Sequence, residues 1–151
     1  MFPIWVAMVF AALIAGYTVI EVQRAERVMA QAVASQAMVS FLAYRQGAQN
    51  FLRANPGHSG LISVASLHGH FPAGYSGDPR WRGTVDGGRL FVFTFAVPPP
   101  QDLVEAMWRE SRHSPTVGLN RGGTLFSYAG MNTGIALPTT IPNGAFVMAG
   151  N

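Results

Sequence analysis

From Phe2 to Ile20 the chain carries no charged side chain: FPIWVAMVFAALIAGYTVI. As a helix rising about 1.5 Å per residue, such a run covers roughly the 30 Å of a bilayer's hydrocarbon core. A helix can cross there alone, because its backbone donors and acceptors satisfy one another within the segment. Trp5 and Tyr17 lie near opposite ends, at the level amphipathic rings prefer, with Phe10 and Leu13 in the apolar middle. Pro3 suits a first helical turn, where its missing N–H removes nothing. The reading is a transmembrane anchor over residues 1–21. A secretory signal carries a basic n-region and a small-x-small site just past its apolar core. Here no Lys or Arg precedes the run, and Ala30-Gln31-Ala32 and Ala32-Val33-Ala34 lie well beyond it. Ala12 and Gly16 form a small-xxx-small pair that lets helices approach closely, though a run so rich in Ala gives such spacings by chance.

Beyond the anchor there is no Pro until Pro56, and Gly47 is the one glycine between Gly16 and Gly57. Val22, Ala25, Met29, Val33, Ala37, Phe41, Tyr44, Ala48 and Phe51 recur at steps of three or four, one face of a helix. Residues 22–55 are therefore read as an amphipathic stalk helix, ended by Asn55-Pro56-Gly57. Its C-terminal half is expected to pack under a sheet; its N-terminal half fits that role or a bundle with partner helices.

Residues 56–151 read as an α+β head. Ser63 is placed to cap a short helix reaching Leu67. Trp81–Val85, the turn Asp86-Gly87-Gly88, and Arg89–Val97 predict a hairpin. Phe91, Phe93, Phe95 and Val97 fall on one face and Leu90, Val92 and Ala96 on the other, which predicts a strand covered on both sides. Pro98-Pro99-Pro100 ends it, and a second helix starts at Asp102, with Glu105 at capping-box spacing. Four short strands follow, Thr116–Leu119, Thr124–Tyr128, Gly134–Leu137 and Ala145–Met148, separated by Gly-, Asn- and Pro-rich turns. The whole is a long N-terminal helix followed by a small head with a mainly antiparallel sheet.

The residues argue against most chemistries. All ten basic residues are Arg and they form no run, so a nucleic-acid stripe is absent. With no Cys there is no disulfide, thiolate nucleophile or Cys-ligated zinc. His68-x-His70 lacks a third ligand at recognisable spacing. Gly57-His58-Ser59-Gly60 and Gly74-Tyr75-Ser76-Gly77 lack the spacing of a nucleophile elbow, and no phosphate loop or dinucleotide fingerprint occurs. The expectation is a protein without catalytic residues, metal or cofactor. Trp81 and Trp108 are the bulky residues of the head, read as core or as interface anchors. Arg24 and Arg27 follow the anchor, and on charge alone they favour a cytoplasmic head.

An apolar helix, an amphipathic continuation and a β-rich head resemble the plan of type IV pilins, with Trp5 standing where those carry a glutamate. The chain resembles more closely the PilM family of conjugative-plasmid, type IVb thin pili. The resemblance rests on the anchor, on Phe71-Pro72-x-Gly74-Tyr75, on Trp81 with the strand Leu90–Phe95, and on two later patterns. These are Gly118–Ser127 and Leu137-Pro138-x-x-Ile141-Pro142-Asn143-Gly144. It implies a non-enzymatic, single-pass inner-membrane component of the pilin transport apparatus or basal body, with a periplasmic head. Its partners would be membrane lipid and other pilus-assembly or secretion subunits. The alternatives are a minor pilin in the fibre, or an anchored envelope enzyme with a site near His68 and His70.

Overall fold

The computed structural model of the protein describes residues 28–29, 32–99 and 101–150, and of residues 101 and 102 only the backbone. The anchor residues Trp5, Phe10, Ala12, Leu13, Gly16 and Tyr17, and the side chain of Asp102, lie outside the described residues. Among the described residues no helix is long and apolar enough to cross a membrane. The chain divides into two compact units, Met1–Val33 and Ala34–Asn151. In the first, residues 28, 29, 32 and 33 are helical and exposed.

In the second unit helix α1 occupies residues 34–54. Ala34, Ala37, Phe41, Tyr44, Ala48 and Phe51 form its buried stripe. The expected stripe is corrected at its start: Met29 and Val33 are exposed, the latter by 63%. A step of three back from Ala37 reaches Ala34, and this register turns Val33 outward.

The rest of the unit is one antiparallel seven-stranded sheet and two further helices. The elements are β1 (Gly60–Ile62), α2 (Val64–Leu67), β2 (Trp81–Asp86), β3 (Arg89–Thr94), α3 (Gln101–Glu110), β4 (Val117–Arg121), β5 (Thr124–Ser127), β6 (Asn132–Ala136) and β7 (Phe146–Gly150). Their spatial order is β1-β2-β3-β7-β4-β5-β6. Ser63 caps α2 as expected, its hydroxyl accepting from the Ser66 N–H at 3.1 Å. The β2–β3 hairpin closes through Gly87 and Gly88, both at positive φ, the backbone that a two-residue turn between twisted strands needs. Strand β1 has no signal in the sequence; three residues between a turn and a helix cap give too little alternation to read.

β3 is buried on both faces, as its double apolar pattern predicts. Leu90 and Val92 join α1, α3, Trp81, Phe146 and Met148 on one side. Phe91 and Phe93 join Leu125, Val147 and Ala149 on the other, closed by Leu137 and Ile141 from the segment before β7. The strand stops at Thr94, however, because its ladder partner β2 begins at Trp81, the residue paired with Thr94. Phe95 and Val97 are therefore exposed rather than internal, and the Arg82 guanidinium lies over the Phe95 ring at 5.0 Å.

Asn120 explains the late turn-rich pattern. It is buried; its amide donates to the carbonyls of Ile141 (2.8 Å) and Pro142 (3.1 Å), and its side-chain oxygen accepts from the Gly123 N–H (2.9 Å). Asn143 returns the tie by accepting from the Gly122 N–H at 2.9 Å. One side chain thus holds the β4–β5 turn to the loop that roofs the second core, and no buried polar atom of Asn120 is left unpaired.

Candidate functional site

One serine in the second unit gathers three long-range side-chain partners. Ser40 lies one residue before the buried Phe41, on the flank of α1's apolar stripe. Its hydroxyl donates to Asp78 Oδ2 at 2.8 Å and accepts from the Trp81 indole N–H at 2.9 Å. Tyr75 OH lies 3.2 Å away, and because Ser40's single proton is spent on Asp78, the phenol is the donor. Three partners 35 to 41 residues downstream thus meet on one helix position.

Local chemistry sets each partner in place. In Phe71-Pro72-Ala73-Gly74-Tyr75 the Tyr75 N–H returns to the Pro72 carbonyl at 3.1 Å, with Gly74 at φ +82°. This is a turn whose third residue needs positive φ, the reason a glycine stands there. The Phe71 ring sets one edge against the helix at Gly47, where a Cβ would collide with Cδ1. It also meets Tyr75 edge-on at 5.1 Å and Tyr44 at 5.9 Å. Asp78 is gripped by Arg80, whose Nη2 donates at 2.6 Å, whose Nε donates at 3.0 Å and whose backbone N–H donates at 2.9 Å. The guanidinium then lies over the Trp81 ring at 5.2 Å.

The electrostatics follow from this geometry. Burial pushes the Asp78 carboxyl up. The hydrogen bonds from Arg80 and Ser40, with the Arg80 charge, outweigh that and hold it at about 2. Burial raises the Tyr75 phenol. The hydrogen bond to Asp78 raises Arg80 further. Deeper in, the Tyr44 phenol is fully buried, lacks a hydrogen-bond partner and is pushed by burial to about 12. At neutral pH the cluster holds one fixed ion pair and neutral hydroxyls, which suits it to holding shape rather than moving protons.

A cleft of about 750 Å³ opens between α1 and the 72–80 loop, above this network. One wall is Gln36, Val39 and Ala43; the other is Pro72, Ala73 and Tyr75. Val39 is 64% exposed and Ala73 is exposed, so apolar surface faces solvent on both walls.

Of the two tryptophans singled out in the sequence, Trp81 is core: it is fully buried, with Phe41 edge-on at 5.1 Å. Trp108 is half-buried at the edge of α3, beside His113 and Tyr128. All four histidines rest against aromatic rings: His58 and His70 on Phe51, His68 on Phe71, His113 on Trp108. Among the described residues no three His, Asp or Glu side chains gather to hold a metal. The sequence reading missed Ser40, Asp78 and Arg80. The available signal was a polar residue beside the apolar stripe, together with Asp-Pro-Arg directly before the buried tryptophan.

Comparison with known proteins adds an independent line. The profile of the PilM family matches residues 8–149. The crystal structure of a protein PilM from Escherichia coli B7A is similar in fold, with a TM-score of 0.55. At 21% identity the likeness covers 79% of this chain and 92% of that one. No curated protein matches the sequence.

Proposed function

The chain belongs to the PilM family, and from that premise we propose that it is a non-enzymatic inner-membrane subunit of type IVb pilus assembly. Family membership supports a pilus- or conjugation-related role. The apolar run Phe2–Ile20 supports a single-pass anchor, continued by a stalk over residues 22–55 that presents the head in the periplasm. The head works by docking other pilus-assembly or secretion subunits. The observation that carries this reading is the cleft beside Ser40. Its walls expose Val39 and Ala73 to solvent, while its floor is locked by a network whose one carboxylate is committed to Arg80. Fixed shape with solvent-facing apolar walls is what a docking pocket needs.

The test is complementation of a strain lacking the protein, scored by pilus formation and by membrane fractionation. Val39→Arg and Ala73→Arg place charge on the cleft walls without touching the core. Each is expected to reach the membrane at normal abundance and to fail to restore pili. Full restoration by both would remove the cleft from the account, and normal pili in the deletion strain would remove the pilus role itself.

A further inference from the structure

Among the described residues the helices leave part of the sheet bare. α1 covers β2, β3 and β7 through contacts with Trp81, Leu90, Val92, Phe146 and Met148, and α3 covers the start of β4 at Val117. On the same face the next residues are Leu119 and Arg121 of β4, with Phe126 opposite Leu119 and Thr124 opposite Arg121 on β5. Leu119 and Phe126 are half-buried, and Tyr128, just past β5, is 38% exposed. Trp108 stands at the edge of this floor as a wall from α3, its ring 6.1 Å from Tyr128. Strands lie about 4.8 Å apart, so the two strands beyond β4 offer roughly 10 Å of floor. Neighbouring helices pack 8–10 Å apart, so that floor is one helix wide.

Charge selects the occupant. Arg121 is exposed on the floor itself, its guanidinium over the Phe126 ring at 5.4 Å, and Arg109 and Arg112 are exposed at the end of α3 that carries Trp108. The His113 ring packs against Trp108 at 5.3 Å. Glu105 is the acidic residue on that flank of α3. Glu110 is turned the other way, into the groove between α3 and α1. The chain also holds Arg112 and His113 at φ +52° and +62°, a left-handed backbone that non-glycine residues seldom adopt. That conformation keeps the His113 ring on Trp108 at the rim.

The geometry points to a docking seat for an amphipathic helix with acidic flanks, contributed by a partner protein and laid beside α3 on β5 and β6. The seat is separate from the cleft at Ser40. Its centre has the aromatic and Arg character of interface hot spots, and its rim supplies the sign of charge that excludes basic helices.

The absence of cysteine makes the test direct, since Ala129→Cys gives the full chain one labelling site on the exposed turn beside Tyr128. The probes are two synthetic helical peptides with the same Leu/Phe face, one flanked by Glu and one by Lys. Fluorescence of the labelled chain in detergent should report at least about tenfold tighter binding of the Glu-flanked peptide, the yield of two or three exposed ion pairs. Arg109→Glu with Arg121→Glu should reverse the order, and Arg53→Glu, on α1, should leave it unchanged. Equal affinities, no binding, or an order that survives the reversal would overturn the proposal. So would unlabelled chain competing as well as the Glu-flanked peptide, since the occupant would then be a second copy.

Discussion

Gly47→Ala sets two known effects against each other on α1. Alanine in a helix interior is favoured over glycine by about 1 kcal/mol. Against this, the new Cβ would meet Phe71 Cδ1 at 2.3 Å and Cε1 at 2.8 Å. Ordinary carbon contacts lie at 3.5–4.0 Å, so the ring must retreat by roughly 1–1.5 Å. It has little room, because a Cβ at Gly77 would lie 3.2 Å from the opposite edge of the same ring. Overpacking of this kind costs about 1–3 kcal/mol. Loosening the pairs with Tyr44 and Tyr75 adds some part of about 0.5–1.5 kcal/mol each. The clash wins, with a net loss of about 1–3 kcal/mol and a Tm lowered by roughly 3–12 °C for a unit of this size. Thermal unfolding of the full chain in detergent, followed by near-ultraviolet circular dichroism, measures it. In a Phe71→Leu background the ring is gone and the sign should invert, the introduced alanine then stabilising through the helix term alone. A higher Tm for Gly47→Ala in the wild-type background would refute the reasoning, for it would mean that Phe71 does not rest on the helix.

Gly118→Ala should be worse, at least about 3 kcal/mol, because its Cβ would collide with the Phe126 carbonyl and β5 backbone rather than a movable ring; soluble yield and hydrogen-exchange protection of β5 amides are the readouts. Asp78 has a folded pKa of about 2 against an ordinary 3.8, so its stabilisation is whole above 3.8 and is lost as pH falls through about 2. Arg80 is half exposed, and solvent screening holds the effect to about 1 kcal/mol; acid titration of stability should show that loss, and Asp78→Asn should flatten it. Trp81→Phe removes the indole N–H from Ser40 and leaves a smaller ring in the core, for about 2–3 kcal/mol and an altered near-ultraviolet spectrum.

The sequence carried the fold's outline through periodicity and turn chemistry. The α1 stripe from Ala37 to Phe51, the Gly87-Gly88 hairpin, the doubly covered β3 and the four closing strands all rest on local pattern, and all are present. What it did not carry is long-range. Nothing local marks Ser40 as the meeting point of Tyr75, Asp78 and Trp81, since each pair is joined only by the way α1 crosses the sheet. Nothing local marks Gly118 as a close approach of two backbones, because its φ is not positive and the constraint comes from Phe126. β7 lies between β3 and β4, so the last strand closes a sheet whose neighbours come earlier in the chain. That order is invisible to strand-by-strand reading. The cleft was hidden for the same reason: Val39 and Ala73 become its walls only once Ser40 fixes the loop.

A polar network at that point has a consequence that apolar packing would not. If Ser40, Tyr75 and Asp78 were replaced by aliphatic residues, the loop would gain burial by closing on α1, and non-directional contact would draw the Val39 and Ala73 walls together. Hydrogen bonds of set length prevent this. The 2.8 Å and 2.9 Å bonds at Ser40 hold the loop at one distance from the helix, and the Arg80 fork keeps Asp78 from turning away. Half-buried polar groups of this kind add little net stability but penalise a geometry that shuts one away from water unpaired. Specification of one spacing, rather than strength, is therefore what the network contributes. A cleft held open with apolar surface on both walls is the state from which a partner can gain by binding.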